Sequence, residues 1–68
     1  MFTLIILKWN KEIKKYKELH IKKINIEKFN KIKKINEVEI CSGDFEYCLW
    51  NNGKFIDSFT SINLLKGV

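Results

Sequence analysis

The sequence predicts a small α+β domain: a mostly antiparallel sheet of three to five strands packed against one or two short helices. Three observations predict it. Residues 2–9 are almost continuously apolar, residues 26–35 carry apolar side chains at helical spacing, and turn signals divide residues 37–59 into short strands. Because 68 residues suffice for one hydrophobic core, residues 1–68 are expected to form a single domain.

The first element is predicted to be a strand over residues 2–9, at the centre of the sheet. The run from Leu4 to Leu7 is apolar and rich in isoleucine, as in strands covered on both faces. It is far shorter than the ~20 residues that span a membrane, and it has no basic leader or small-residue cleavage site. We therefore expect no membrane contact and a cytoplasmic location.

Residues 10–35 are predicted to contain two elements. On a single helix, their nine apolar positions would spread around the whole circumference. Asn25 is a good N-cap for a helix over residues 26–35 whose apolar positions are Ile26, Phe29, Ile32 and Ile35. Residues 11–24 stay open between a short helix over 11–19 and a strand over 16–24. The strand is favoured, since it would form a hairpin with the first strand.

The C-terminal half is predicted to end in a strand–turn–strand–helix unit. Alternating side chains over residues 37–41 favour a half-buried strand, and Ser42-Gly43-Asp44 is typical of a turn. Asn51-Asn52-Gly53 separates strands over 45–50 and 54–59, a strong hairpin signal. Thr60 or Ser61 would cap a last helix over residues 62–66, with Gly67 as its stop.

Large side chains are frequent enough to fill one core without a disulfide, a metal or a partner subunit. Apolar residues make up 46% of the chain. Besides the isoleucines, the aromatic residues expected in this core are Trp9, Phe29, Phe45, Trp50, Phe55 and Phe59.

Charge is distributed unevenly along the chain. Residues 1–36 carry a net charge of +8 and residues 37–68 a net charge of −3. This asymmetry predicts a basic face and an acidic face, although the two halves could instead neutralise each other in the fold. Lysine abundance alone carries no argument, since Lys, Ile and Asn are together what an AT-rich genome encodes.

Two sets of charged residues are candidate binding sites. A basic surface with an aromatic neighbour suits nucleic acid, because it displaces counterions and stacks on bases. The absence of Arg argues against sequence-specific readout, which relies on bidentate contacts. The basic set is Tyr16, Lys22, Lys23, Lys28, Lys31, Lys33 and Lys34. The acidic set, which would suit a basic groove of another protein, is Glu37, Glu39, Asp44, Glu46 and Asp57.

Catalytic, metal and cofactor sites are not expected. His20 is the single histidine and has no diagnostic partner nearby. With Cys41 and Cys48 it makes three potential metal ligands and no Cys-x-x-Cys pair, fewer than a zinc site needs. The pairing of the cysteines stays open: a reducing compartment favours free thiols, whereas adjacent strands would permit a disulfide.

These observations predict a non-enzymatic binding protein that docks on a larger protein or nucleoprotein complex. A phage-encoded inhibitor of a nucleic-acid-targeting host defence complex, of the anti-CRISPR kind, fits the small size, charge asymmetry and AT-rich composition. The alternative is a sequence-nonspecific RNA- or DNA-binding module or a small ribonucleoprotein component. A second alternative is a structural homodimer that pairs through an open strand edge.

Overall fold

A computed structural model describes residues 1–65 as a four-stranded antiparallel sheet with one helix. The strand order is β2-β1-β3-β4, which confirms the small α+β class and the central position of the first strand. In chain order the elements are β1 (Phe2–Asn10), β2 (Lys15–Ile24), α1 (Ile26–Asn36), β3 (Phe45–Asn51) and β4 (Lys54–Ser61).

The open choice for residues 11–24 resolves to a turn and a strand. The Asn10 side chain accepts a hydrogen bond from the backbone N–H of Glu12 (2.9 Å), and Lys14 takes a left-handed φ of 52° to close the turn. β2 then pairs with β1 along its whole length. The register shifts at Leu19, which has no partner on β1 and forms a bulge.

The predicted helix and its cap are confirmed. Asn25 Oδ1 accepts a hydrogen bond from Lys28 N (2.7 Å), and Phe29 is fully buried. Ile35 was expected on the same buried face but is 72% exposed. The reason is geometric: nine residues at about 100° each place Ile35 about half a turn away from Ile26.

The strand predicted over residues 37–41 is wrong. The segment 37–44 runs beside β4 and makes one isolated bridge, in which Val38 N donates to Thr60 O (2.9 Å). A turn follows at once, because Ser42 N donates to Glu39 O (2.9 Å). The β3–β4 hairpin is confirmed, with Asn52 and Gly53 at φ values of 51° and 77°, as a primed turn requires.

The predicted C-terminal helix is also wrong, since residues 62–65 are not helical. Ser61 Oγ does accept a hydrogen bond from Asn63 N (3.2 Å), as a cap would. The chain is then held by Tyr47, whose hydroxyl donates to Asn63 O (3.0 Å) and accepts from Leu65 N (2.8 Å). These bonds replace the first helical turn, which is costly to nucleate. The predicted end of that helix, at Lys66 and Gly67, lies outside the described residues.

The core lies between the sheet and α1. Phe29 of the helix packs on Phe59 with ring centroids 5.4 Å apart, and Tyr47 stacks on Phe59 at 4.8 Å. In residues 1–65, no helix is both long and apolar enough to pass through a bilayer. The buried core cluster is Leu4, Ile6, Ile24, Phe29, Tyr47, Leu49 and Phe59.

Candidate binding surfaces

The sheet has two faces with different surroundings. α1 packs on the face that holds the core cluster, and no helix or strand of residues 1–65 covers the opposite side, which we call the outer face. The segment 37–44 lies against one end of this face, where Gly43 contacts Thr60. Cross-strand partners share a face and neighbours along a strand alternate, so the register defines this surface. The outer face comprises Tyr16, Glu18, Ile21 and Lys23 of β2, Thr3, Ile5, Leu7 and Trp9 of β1, Glu46, Cys48 and Trp50 of β3, and Phe55, Ser58 and Thr60 of β4.

Aromatic and aliphatic side chains dominate the outer face. Trp9 packs edge-on against Tyr16 at 5.0 Å, and Trp50 against Phe55 at 5.5 Å, at opposite ends of the face. Ile21 and Phe55 remain 54% and 53% exposed. The solvent face of an antiparallel sheet is ordinarily polar, and a contiguous apolar patch marks an interaction site. Trp50 and Phe55 were expected in the core, but both lie on the outer face.

A small polar cluster lies within this apolar face. The Cys48 thiol donates to the Glu46 carboxylate (3.5 Å). Burial and the negative charge of Glu46 raise the pKa of Cys48 to about 12, so it stays a neutral thiol at physiological pH. Burial and Glu46 also raise the pKa of Tyr16. Cys41 is exposed and Cys48 is buried, both as free thiols, which decides the pairing left open by the sequence.

The helix side of the molecule carries a group of lysines from β2 and α1. On β2, Lys17 lies opposite Lys8 and Lys22 opposite Leu4, which places both lysines on the same sheet face as the core. The helix adds further exposed lysines. We call this set the helix-side basic surface: Lys17, Lys22, Lys28, Lys31 and Lys34.

Lys33 is not part of that surface. Its Nζ lies 2.9 Å from Asp57 Oδ2 and 4.0 Å from Glu37 Oε2. The hydrogen bond to Asp57 raises the pKa of Lys33. One residue predicted as basic thus pairs with two predicted as acidic, Asp57 of β4 and Glu37 at the end of α1.

The structure divides both predicted sets. Of the basic set, Tyr16 and Lys23 lie on the outer face and Lys22, Lys28, Lys31 and Lys34 on the helix side. The acidic set does not form a stripe: Asp57 faces Lys33, Glu46 lies in the outer face, and Glu37, Glu39 and Asp44 belong to the connecting segment 37–44.

Sequence reasoning missed two groups of surface residues. Lys17 belongs with the basic surface, and the period-two alternation of β2 was the signal for it. Trp9, Trp50 and Phe55 belong to the outer face, yet an apolar side chain by itself does not indicate which side of a sheet is covered. Across residues 1–65, no three His, Cys, Asp or Glu side chains come together as a metal site would require.

No family model, curated protein or solved structure matches this chain.

Proposed function

We propose that this chain is a non-enzymatic binding protein that holds the backbone of RNA or DNA against its helix-side basic surface, without reading sequence. The observation that supports this is the gathering of lysines from β2 and α1 on one side of the molecule. Among the acids near these lysines in the described part of the chain, Asp57 and Glu37 are engaged by Lys33. Glu27 lies in the first turn of α1, and Glu12 and Asp44 line one pocket with Lys17.

The chemistry of lysine determines how such binding behaves. An ammonium group neutralises a phosphate as a point charge and releases condensed counterions, whereas guanine recognition needs the planar fork of Arg, which this chain lacks. If the five lysines each neutralise one phosphate, log K falls with log salt at a slope of about −3.5 for a single strand. Affinity is therefore expected to depend steeply on salt and little on sequence.

Replacing Lys31 by Glu is expected to weaken binding of a labelled oligonucleotide about fivefold to tenfold and to reduce the salt slope by about one. The matched control is Lys54→Glu, because Lys54 is also exposed but lies at the start of β4, on the far edge of the sheet from β2. Electrophoretic retardation at several salt concentrations measures both. Equal losses in the two variants, or no retardation of the wild type, would contradict the proposal.

A second candidate function is the protein inhibitor predicted from the sequence, and one observation favours it. Ile40 is 79% exposed in the connecting segment, next to Glu39 and near Asp44, both exposed. An apolar anchor flanked by acids suits a groove lined by basic residues, such as the nucleic-acid channel of a host defence complex. This docking does not use the helix-side basic surface, but it adjoins the outer face, since Ile40 and Asp44 line one pocket with Trp9 and Tyr16.

The inhibitor proposal predicts a specific partner in a lysate of the host. The double substitution Glu39→Lys with Ile40→Ser is expected to abolish capture of that partner, and nuclease treatment is expected to leave wild-type capture intact. Ile35→Ser is the control, since Ile35 is exposed to a similar degree on α1. Affinity purification followed by mass spectrometry provides the measurement, and capture that the double variant retains excludes this docking mode.

A further inference from the structure

We propose that the outer face is covered by a second copy of this chain, so that two sheets pack face to face and both helices point outward. This inference goes beyond the proposed function, because the helix-side basic surface lies on the opposite side of the sheet. In such a dimer, the two basic surfaces lie at opposite ends of one particle.

The need for a cover follows from the small size of the core. All seven residues of the core cluster lie on the helix side of the sheet or in α1. Domains of this length bury only about 60% of the surface that their unfolded chains expose, and association is a usual remedy. Meanwhile Ile5, Leu7 and Ile21 line the other side, next to the two aromatic pairs.

Pairing through the sheet edges is the weaker alternative. The free edge strand, β2, carries four lysines and the Leu19 bulge, and both features oppose the addition of another strand. The other edge strand, β4, is bridged by Val38 of the connecting segment. The faces are therefore better suited to self-association than the edges.

The size of the outer face fits a dimer of modest affinity. Four strands about 4.8 Å apart and eight residues from Tyr16 to Lys23 define an area of at most roughly 450 Å² per copy, because the segment 37–44 already contacts one end of the face at Thr60. Two such faces approach the ~1,000 Å² of total buried surface that a specific interface needs. We therefore expect a dissociation constant in the micromolar range.

The charges of the outer face are self-complementary. Ile5 and Ile21 lie opposite each other in one cross-strand row, and Glu18 and Lys23 lie on either side of that row on β2. We place a two-fold axis between the two sheets, perpendicular to the strands and directly over this row. It stacks β2 of one copy on β2 of the other copy with the strand direction reversed. Each Glu18 then meets Lys23 of the other copy, while Ile5 and Ile21 meet their own counterparts. Aligned sandwiches cross at about 30°, which long side chains accommodate.

Sedimentation equilibrium of the full chain, from about 5 to about 500 µM, tests the proposal across the affinity range expected for this interface. The wild type is expected to dimerise. Ile21→Lys places like charges at the axis and is expected to weaken dimerisation at least ~100-fold. Ile35→Lys introduces the same side chain on α1 and is expected to dimerise as the wild type does. Far-UV circular dichroism verifies that both variants are folded.

A charge exchange tests the two-fold arrangement itself. Glu18→Lys and Lys23→Glu each create two like-charge contacts per dimer and are expected to weaken dimerisation about tenfold. The double variant restores both ion pairs and is expected to return to within about threefold of the wild type. Both side chains are solvent-exposed, and Lys23 Nζ donates an exposed hydrogen bond to Thr3 Oγ1 (3.3 Å), so we expect these substitutions to leave the fold intact.

Three results would overturn this inference: a wild type that remains monomeric throughout, equal effects of Ile21→Lys and Ile35→Lys, or a double variant no better than either single one. None of them bears on nucleic-acid binding. Conversely, if Lys31→Glu and Lys54→Glu prove equivalent, the proposed function fails while the dimer stands.

Discussion

Phe29→Ala is expected to lower the free energy of unfolding by about 4 kcal/mol. Phe29 is fully buried in the core cluster, where its ring packs on Phe59. It is also the buried anchor of α1, so its loss leaves a cavity between helix and sheet. Small domains are stable by only about 5–15 kcal/mol, and this change consumes a large part of that margin.

A urea titration followed by tryptophan fluorescence and circular dichroism measures this loss. Ile35→Ala is the matched control, because Ile35 belongs to the same helix and is 72% exposed. We expect that control to change stability by less than about 0.5 kcal/mol, as surface substitutions do. A Phe29→Ala variant that lost less than about 1 kcal/mol would contradict the packing of α1 described above.

Gly43→Ala is expected to destabilise the fold by about 2–3 kcal/mol through a steric clash. A Cβ at this position would lie 2.6 Å from Ser61 O and 2.7 Å from Thr60 Cγ2. The first contact is with the backbone of β4, which cannot move aside as a flexible side chain does. The connecting segment must therefore leave β4, and the Val38–Thr60 bridge breaks with it.

Thermal unfolding together with hydrogen exchange at Val38 measures this effect. Ser42→Ala is the control, since Ser42 is the exposed neighbour in the same turn. Gly53→Ala provides a contrast: no atom lies within 4 Å of its Cβ position, but its φ of 77° costs an L-residue about 1–2 kcal/mol. A Gly43→Ala variant as stable as Ser42→Ala would show that the segment does not contact β4 closely.

The parts of the fold that the sequence predicts are those governed by local chemistry. The apolar run of β1, the Asn25 cap and the Asn51-Asn52-Gly53 turn each contain their own signal within a few residues. Residues 62–65 also follow a local helix signal, the capping residue before them. The Tyr47 hydroxyl instead binds the backbone of Asn63 and Leu65, which lie 16 and 18 positions further along the chain, and no helix forms. Long-range hydrogen bonds of this kind leave no trace in a short window of sequence.

The binding surfaces were partly predictable. The alternation of β2 already separates Lys22 from Lys23, although both were grouped in one basic set. The pairing of Lys33 with Asp57 depends on α1 crossing towards β4, which no charge count reveals. Trp50 and Phe55 look like core residues until the position of the single helix is known.

The central place of β1 determines the order in which the native state can be assembled. Residues 3–8 find their second partner only in residues 45–50, so until β3 has been synthesised the emerging chain contains only the β1–β2 hairpin and α1. An isolated hairpin is marginal in water. Contacts between segments so distant in sequence slow the search for the native topology. We therefore expect the sheet to be completed only after β3 has been synthesised.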